Sequence, residues 1–156
     1  LGAQATVDVH PDRERAVLAG RRVAGAKLEG TLQELDLGSG LTTSSDARSL
    51  AAKVDLGVSA AYTGDGEALA VLCGKAPRTA LVQPWWSYGD GAIEGHPGWP
   101  VLLEGKKPRG ARVTRSPGLV GVTVAWRVDG KALRRGSLTP VAERLAWITR
   151  DALRSA

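Results

Sequence analysis

Phenylalanine and methionine are both absent from this 156-residue chain, and cysteine occurs once, as Cys73. One cysteine excludes an intramolecular disulfide. With only two histidines, His10 and His96, there is no spacing for a cysteine-based zinc site either. No metal or other cofactor is therefore expected. No apolar run approaches the roughly 20 residues that a membrane-spanning helix needs, so no span is expected in the part shown. Leu1 stands where an initiator methionine would, which predicts that the chain follows a cleavage, and no targeting or lipidation motif is visible.

The missing residue types also constrain the interior. Without Phe or Met, the core has to be built from Val, Leu and Ala, with Trp as its large filler. Five Trp and two Tyr are the whole aromatic supply, so each indole matters to core volume. The remaining composition is that of an ordinary globular protein, 43% hydrophobic and 24% charged, and the length predicts a single compact domain over 1–156.

Charge is unevenly placed. The net charge is +5, and Arg outnumbers Lys by 15 to 6. Residues 1–78 are close to neutral, whereas residues 79–156 carry 12 basic and 6 acidic side chains. Most of the excess lies in 104–135, where nine Lys or Arg face only Glu104 and Asp129. Such a local field steers polyanions or acidic protein faces.

Period-two alternation predicts strands at 4–9, 54–62 and 119–128, and the turns around them predict return or short strands at 67–73, 79–83, 101–103 and 131–138. The 54–62 strand is expected to have one wet face. Residues 21–37 predict two strand pieces with a bulge or bend near Gly30. Asp129-Gly130 is the strongest hairpin signal. Pro11-Asp12 before an Ala/Leu run, with Gly20 as a stop, predicts a short helix over 11–19. Ser45 predicts the cap of another over 46–53. Thr139 as a cap and Pro140 in the first turn open the best helix, 139–153, whose stripe is Val141, Leu145, Ile148 and Ala152. The expected fold is α+β, a mainly antiparallel sheet with a C-terminal helix packed on one face and two short edge helices.

Three places stand out as candidate sites. The first is the aromatic, Gly/Pro-rich stretch 84–100, read as an irregular loop. Its Trp85, Trp86, Tyr88 and Trp99 can stack on a ligand or a partner, or plug the end of a Phe-free core. His96 beside Asp90 or Glu94 could form a base and its orienter, but no nucleophile or metal constellation stands near them. The second is the basic hairpin, where Arg109, Arg112, Arg115, Arg127, Lys131, Arg134 and Arg135 either contact phosphates or form a solvated face. No known nucleic-acid motif accompanies them. The third is Trp147, which on a helical wheel lies beside Arg144, Asp151 and Arg154, away from the apolar stripe, as an interface hot spot would. Gly38 to Ser45 lacks the lysine of a phosphate-binding loop, Cys73 reads as a small buried hydrophobe, and His10 as a loop residue.

These features favour a non-catalytic binding module, engaged with a protein partner or with a second copy of itself through exposed Trp and the basic hairpin. The alternatives are a nucleic-acid or polyanion binder using 106–135, and a small-ligand sensor or enzyme built on 84–100.

Overall fold

β5 (Gly57–Tyr62) and β6 (Leu69–Lys75) show how the chain is layered. Every residue of β5, and every residue of β6 but Lys75, is buried. A strand hidden on both faces reads as apolar at every position, so the wet face expected for Asp55 to Ala61 does not exist within β5.

The structure is a computed structural model. It describes residues 4–39, 48–50, 53–87, 93–95, 98–116, 121–129, 133–141, 146–151, 153–154 and 156. Among these, thirteen strands form three antiparallel sheets and there is no helix. The first sheet is β1 (Gln4–Val9), β2 (Arg15–Ala24), β3 (Lys27–Asp36) and β4 (Arg48–Leu50). The second is β5, β6, β7 (Thr79–Ser87) and β8 (Ile93–Gly95), with β9 (Trp99–Leu102) also on β7. The third is β10 (Arg109–Arg115), β11 (Val122–Arg127), β12 (Leu133–Val141) and β13 (Ala146–Asp151). The first and third are meanders in which neighbours in sequence are neighbours in space, whereas in the second β8 and β9 both return onto β7.

The second sheet lies between the other two. Val58, Ala60, Tyr62, Leu69, Val71 and Cys73 pack with Val17, Ala19 and Leu32 of the first sheet. The alternate positions Ala61, Ala70, Leu72, Ala80 and Val82 pack with Val113, Val122, Val124, Trp126 and Leu138 of the third. Trp126 is the large plug of that second layer, 1% exposed, with its Nε1 donating to the Glu104 carbonyl at 2.8 Å.

The expectation of an α+β fold is therefore corrected to an all-β one, and each predicted helix has its own explanation. At 11–19, Pro11-Asp12 marks a hairpin turn. The His10 N–H donates to Arg15 O (2.8 Å), and His10 Nδ1 accepts from the N–H groups of Asp12 and Arg13, both at 3.0 Å. At 46–53, Arg48–Leu50 pairs with Gly30–Leu32 as β4; Ser45 lies outside the described residues. At 139–153, β12 continues through Pro140 to Val141 and β13 pairs back on it, with Pro140 opposite Trp147. The β11 ladder ends at Leu138, so Pro140 sits where β12 has a partner on one side, a place that tolerates the missing N–H. The β-branched Thr139, Val141, Ile148 and Thr149 suit the pleat. Strand pairing outweighs the helical spacing of the apolar residues, and the wheel that set Trp147 beside Arg144, Asp151 and Arg154 no longer applies.

Two smaller corrections follow the same logic. In place of the bulge or bend expected near Gly30, the chain turns at Gly25, φ +63°, and Gly30 is inside the β3 ladder. The stretch 84–100 is not one irregular loop, because β7 runs to Ser87 and β8 and β9 return along it. Pro84 falls between the two return strands, where that side of β7 has no ladder.

The outer edge of β5 joins all three sheets. Asp8 Oδ2 of β1 accepts from the Tyr62 N–H (2.9 Å), Ser59 Oγ accepts from the Val113 N–H (2.7 Å), and Leu56 O accepts from the Ala111 N–H (3.0 Å). Asp8 Oδ1 also meets Arg115 of β10 at 3.4 Å. Gly57, φ +129°, has no room for a side chain, since a Cβ there would lie 2.7 Å from Ala111 O.

Removing the Asp8 carboxylate strands the buried Tyr62 N–H. Asp8→Ala is expected to lower stability by about 2–3 kcal/mol in urea denaturation, whereas Asp8→Asn, which still offers an acceptor, loses less than half of that. Equal losses would mean that the Arg115 ion pair, not the strand-edge hydrogen bond, is what matters. Gly57→Ala is expected to cost about 1–3 kcal/mol by the same measurement, from the strained φ and the clash with β10.

Candidate functional site

The third sheet has two chemically opposite faces because its strands alternate strictly. Ala111 and Val113, then Val122, Val124 and Trp126, then Leu138, point into the core. Arg112 and Thr114 of β10, Thr123, Ala125 and Arg127 of β11, and Arg135 and Ser137 of β12 occupy the other parity and are exposed or half-buried. Register then sets the rows. Arg112 lies opposite Ala125, and Ala125 lies opposite Arg135 on the far side. Thr114, Thr123 and Ser137 form the next row, and Arg109 lies opposite Arg127. Two strand spacings of roughly 4.8 Å place the Arg112 and Arg135 backbones about 10 Å apart across a single alanine.

The basic turn ahead of β10 adds to this surface. Lys106 O accepts from the Asp129 N–H at 2.6 Å, which brings the exposed Lys106 and Lys107 to the Arg127 end of the sheet. Among the described residues, Arg109, Arg112, Arg127 and Arg135 form no ion pair, and Glu104 is held by Arg154 at 3.2 Å. Arg115 belongs elsewhere, since it is half-buried and tied to Asp8 and to the Val9 carbonyl. Arg134 is in β12 opposite Trp126, with its side chain outside the described residues, as is all of Lys131.

The aromatic candidates do not converge. Trp85 is partly buried on the face of β7 toward the first sheet, and Trp99 is partly buried against the opposite core layer. Both indole nitrogens are shielded and donate to no group. Trp86 is opposite Glu94, and Trp147 opposite Pro140, with side chains outside the described residues. Tyr88 and His96 lie wholly outside them.

His10 and Tyr62, two groups suited to proton transfer, are tied up. His10 uses both ring nitrogens, with Nδ1 accepting from the turn and Nε2 donating to Gly66 O at 3.1 Å. The Tyr62 hydroxyl donates to Glu34 Oε1 at 2.7 Å. Burial first, and that bond second, push it well above the ordinary tyrosine range. Among the described residues, no group of three or more His, Cys, Asp or Glu could hold a metal ion, and no helix is long and apolar enough to cross a membrane. Comparisons with protein-family models, curated proteins and solved structures gave no match.

Sequence reasoning found the arginines but missed β10, the strand that carries Arg109, Arg112 and Arg115. Its signal was present, because Ala111 and Val113 alternate with Arg112 and Thr114.

Cys73 gives a direct check of the central layer. Burial pushes its thiol up to about 11, so at neutral pH it is a protonated, weak nucleophile. The folded protein is expected to resist a thiol reagent at pH 7–8 over a time in which the urea-unfolded chain reacts fully. Prompt reaction of the native chain would show that the layer between the first and second sheets opens.

Proposed function

We propose that this chain is a non-catalytic binding module that lays the outer face of its third sheet against the phosphate backbone of a nucleic-acid duplex. The observation that carries this reading is the Arg112–Ala125–Arg135 row. It brings two arginines 23 positions apart in the chain onto neighbouring ladders, flanked by Arg127 and by a row of hydroxyls. Arginine forks and Ser/Thr hydroxyls are the side chains that contact phosphate oxygens.

The same face speaks against a protein partner. Protein interfaces need an apolar centre, and Ala125 is the sole apolar side chain described there. Nucleic-acid interfaces are polar and strongly basic. The described side chains of the face include no aromatic ring on which a single strand could stack, so a duplex fits better, held without base readout. None of the three described indoles is exposed, which leaves docking through tryptophan without support from Trp85, Trp99 or Trp126.

Fluorescence anisotropy with a labelled DNA duplex tests this reading. Four phosphate contacts give a slope of log affinity on log salt of about −3 to −4, and each lost arginine reduces it by about 1. Arg112→Glu/Arg135→Glu is expected to abolish binding. Arg22→Glu/Lys27→Glu, the same charge change on exposed residues of the first sheet, is expected to weaken it much less. Equal weakening by the two pairs would reduce the effect to net charge, and no binding at low salt would remove the reading altogether.

A further inference from the structure

At the end of the molecule where the first two sheets meet lies a cleft of about 260 Å³. It belongs to neither the basic face nor the aromatic stretch as a whole. Its floor is a cross-strand row of the second sheet, since Tyr62 pairs with Leu69 and Leu69 with Trp85. One wall is the β1–β2 turn with Arg15 and Glu34 behind it, and the other is the β5–β6 turn around Gly66.

The rim is held in place. The His10 ring grips its own turn through Nδ1 and the opposite turn through Nε2, and stands edge-on to the Tyr62 ring with centroids 4.8 Å apart. Gly66, φ +73°, passes so close that a Cβ would lie 2.6 Å from His10 Cε1. The opposite turn is stiffened as well, with Asp65 Oδ1 accepting from the Thr63 hydroxyl (2.7 Å) and the Glu67 N–H (3.1 Å). A cleft fixed in this way loses little entropy when it is filled.

We propose that this cleft binds one ring of a neutral sugar. Size is the first reason, because the volume lies below the roughly 300–1,000 Å³ of sites for drug-sized ligands. Wall chemistry is the second. Arg13 and Arg15 offer donors, while Asp12, Glu34, Asp65 and Glu67 offer acceptors, and a hydroxyl can answer both kinds. Four carboxylates against two guanidiniums oppose an anion, and the two guanidiniums oppose a simple cation. The third reason is Trp85. It supplies an apolar ring in the lining for the C–H side of a sugar to lie against. Every one of these groups except Trp85 comes from a residue that the sequence left unremarked as a site.

The test is a titration of the 15N-labelled chain followed at the tryptophan indole N–H resonances, with Trp85 identified by the peak lost in Trp85→Phe. The probes are glucose, galactose, mannose and N-acetylglucosamine, with inorganic phosphate and ethylammonium as charged comparisons. At least one sugar is expected to shift the Trp85 indole peak saturably at millimolar concentration. Trp85→Ala, which removes the ring, is expected to weaken that sugar about ten-fold, read from the amides of Gly66 and Glu67 in a spectrum that stays dispersed. Arg112→Glu/Arg135→Glu is expected to leave it unchanged, which separates this site from the duplex face. No saturable shift with any of the four sugars would overturn the proposal. So would saturable binding of phosphate or ethylammonium in their place, or equal sugar affinity in Trp85→Ala.

Discussion

β5 is hydrogen-bonded along one side to β6 and has no ladder on the other, yet all six of its residues are buried. A row of backbone groups hidden in this way costs about 1–3 kcal/mol for each one left unpaired. The Tyr62 N–H is met by the Asp8 carboxylate, and the facing N–H groups of β10 are met in turn, Val113 by the Ser59 hydroxyl and Ala111 by the Leu56 carbonyl just ahead of β5. Because the bonds come from β1 on one hand and β10 on the other, the closed edge is also what joins the sheets. The cleft depends on it through Tyr62, whose backbone N–H is bonded to Asp8 and whose ring forms part of the floor. The basic face depends on it through β10, where Ala111 and Val113 bond inward while Arg112 between them is turned out.

This joint also accounts for the chain's poverty in large side chains. Where a carbonyl and an N–H of non-paired strands must come within 3.0 Å, no bulky residue can stand between them. Gly57 is met by Ala111, and Gly74 by Leu56. Ala60, Ala61 and Ala70 keep both neighbouring sheets close to the middle one. The volume that Phe would have filled is concentrated in Trp126, placed away from the joint, with its one polar atom bonded to Glu104 O.

How much of this could be read from the residues depends on the range of the interaction responsible. β1 and β11 were legible because period-two alternation is a local property of each strand, and β5 and β6 because the Thr63-Gly64-Asp65-Gly66 turn between two apolar runs is equally local. The β1–β2 turn was not legible, because Pro11-Asp12 ahead of an Ala/Leu run predicts a helix start where the chain makes a hairpin turn. What it could not reveal was a histidine ring 56 positions from Gly66 clamping that turn into a hairpin. The C-terminal segment shows the same failure. Val141, Leu145 and Ile148 satisfy a helical stripe by local spacing, and only the ladder from Pro140 to Trp147 favours a strand. Tertiary pairing outweighs helical spacing most easily where β-branched residues such as Val141, Ile148 and Thr149 already favour the strand.

The two surfaces differ in legibility for the same reason. The basic face is drawn from one meander, so a local excess of arginine in the sequence stays a local excess in space, and β10 and β11 need only alternate to turn it outward. The cleft takes its groups from two turns and from strands of two sheets. Asp12 and Glu34 are acidic residues in a half of the chain whose charges nearly cancel, and nothing near them in sequence marks them as neighbours of Trp85. Compositional signals find surfaces built by one segment, whereas a concave site assembled across a sheet junction becomes visible once the junction itself is known. Here the junction is the closed edge of β5, which ends at Tyr62, in the floor of the cleft.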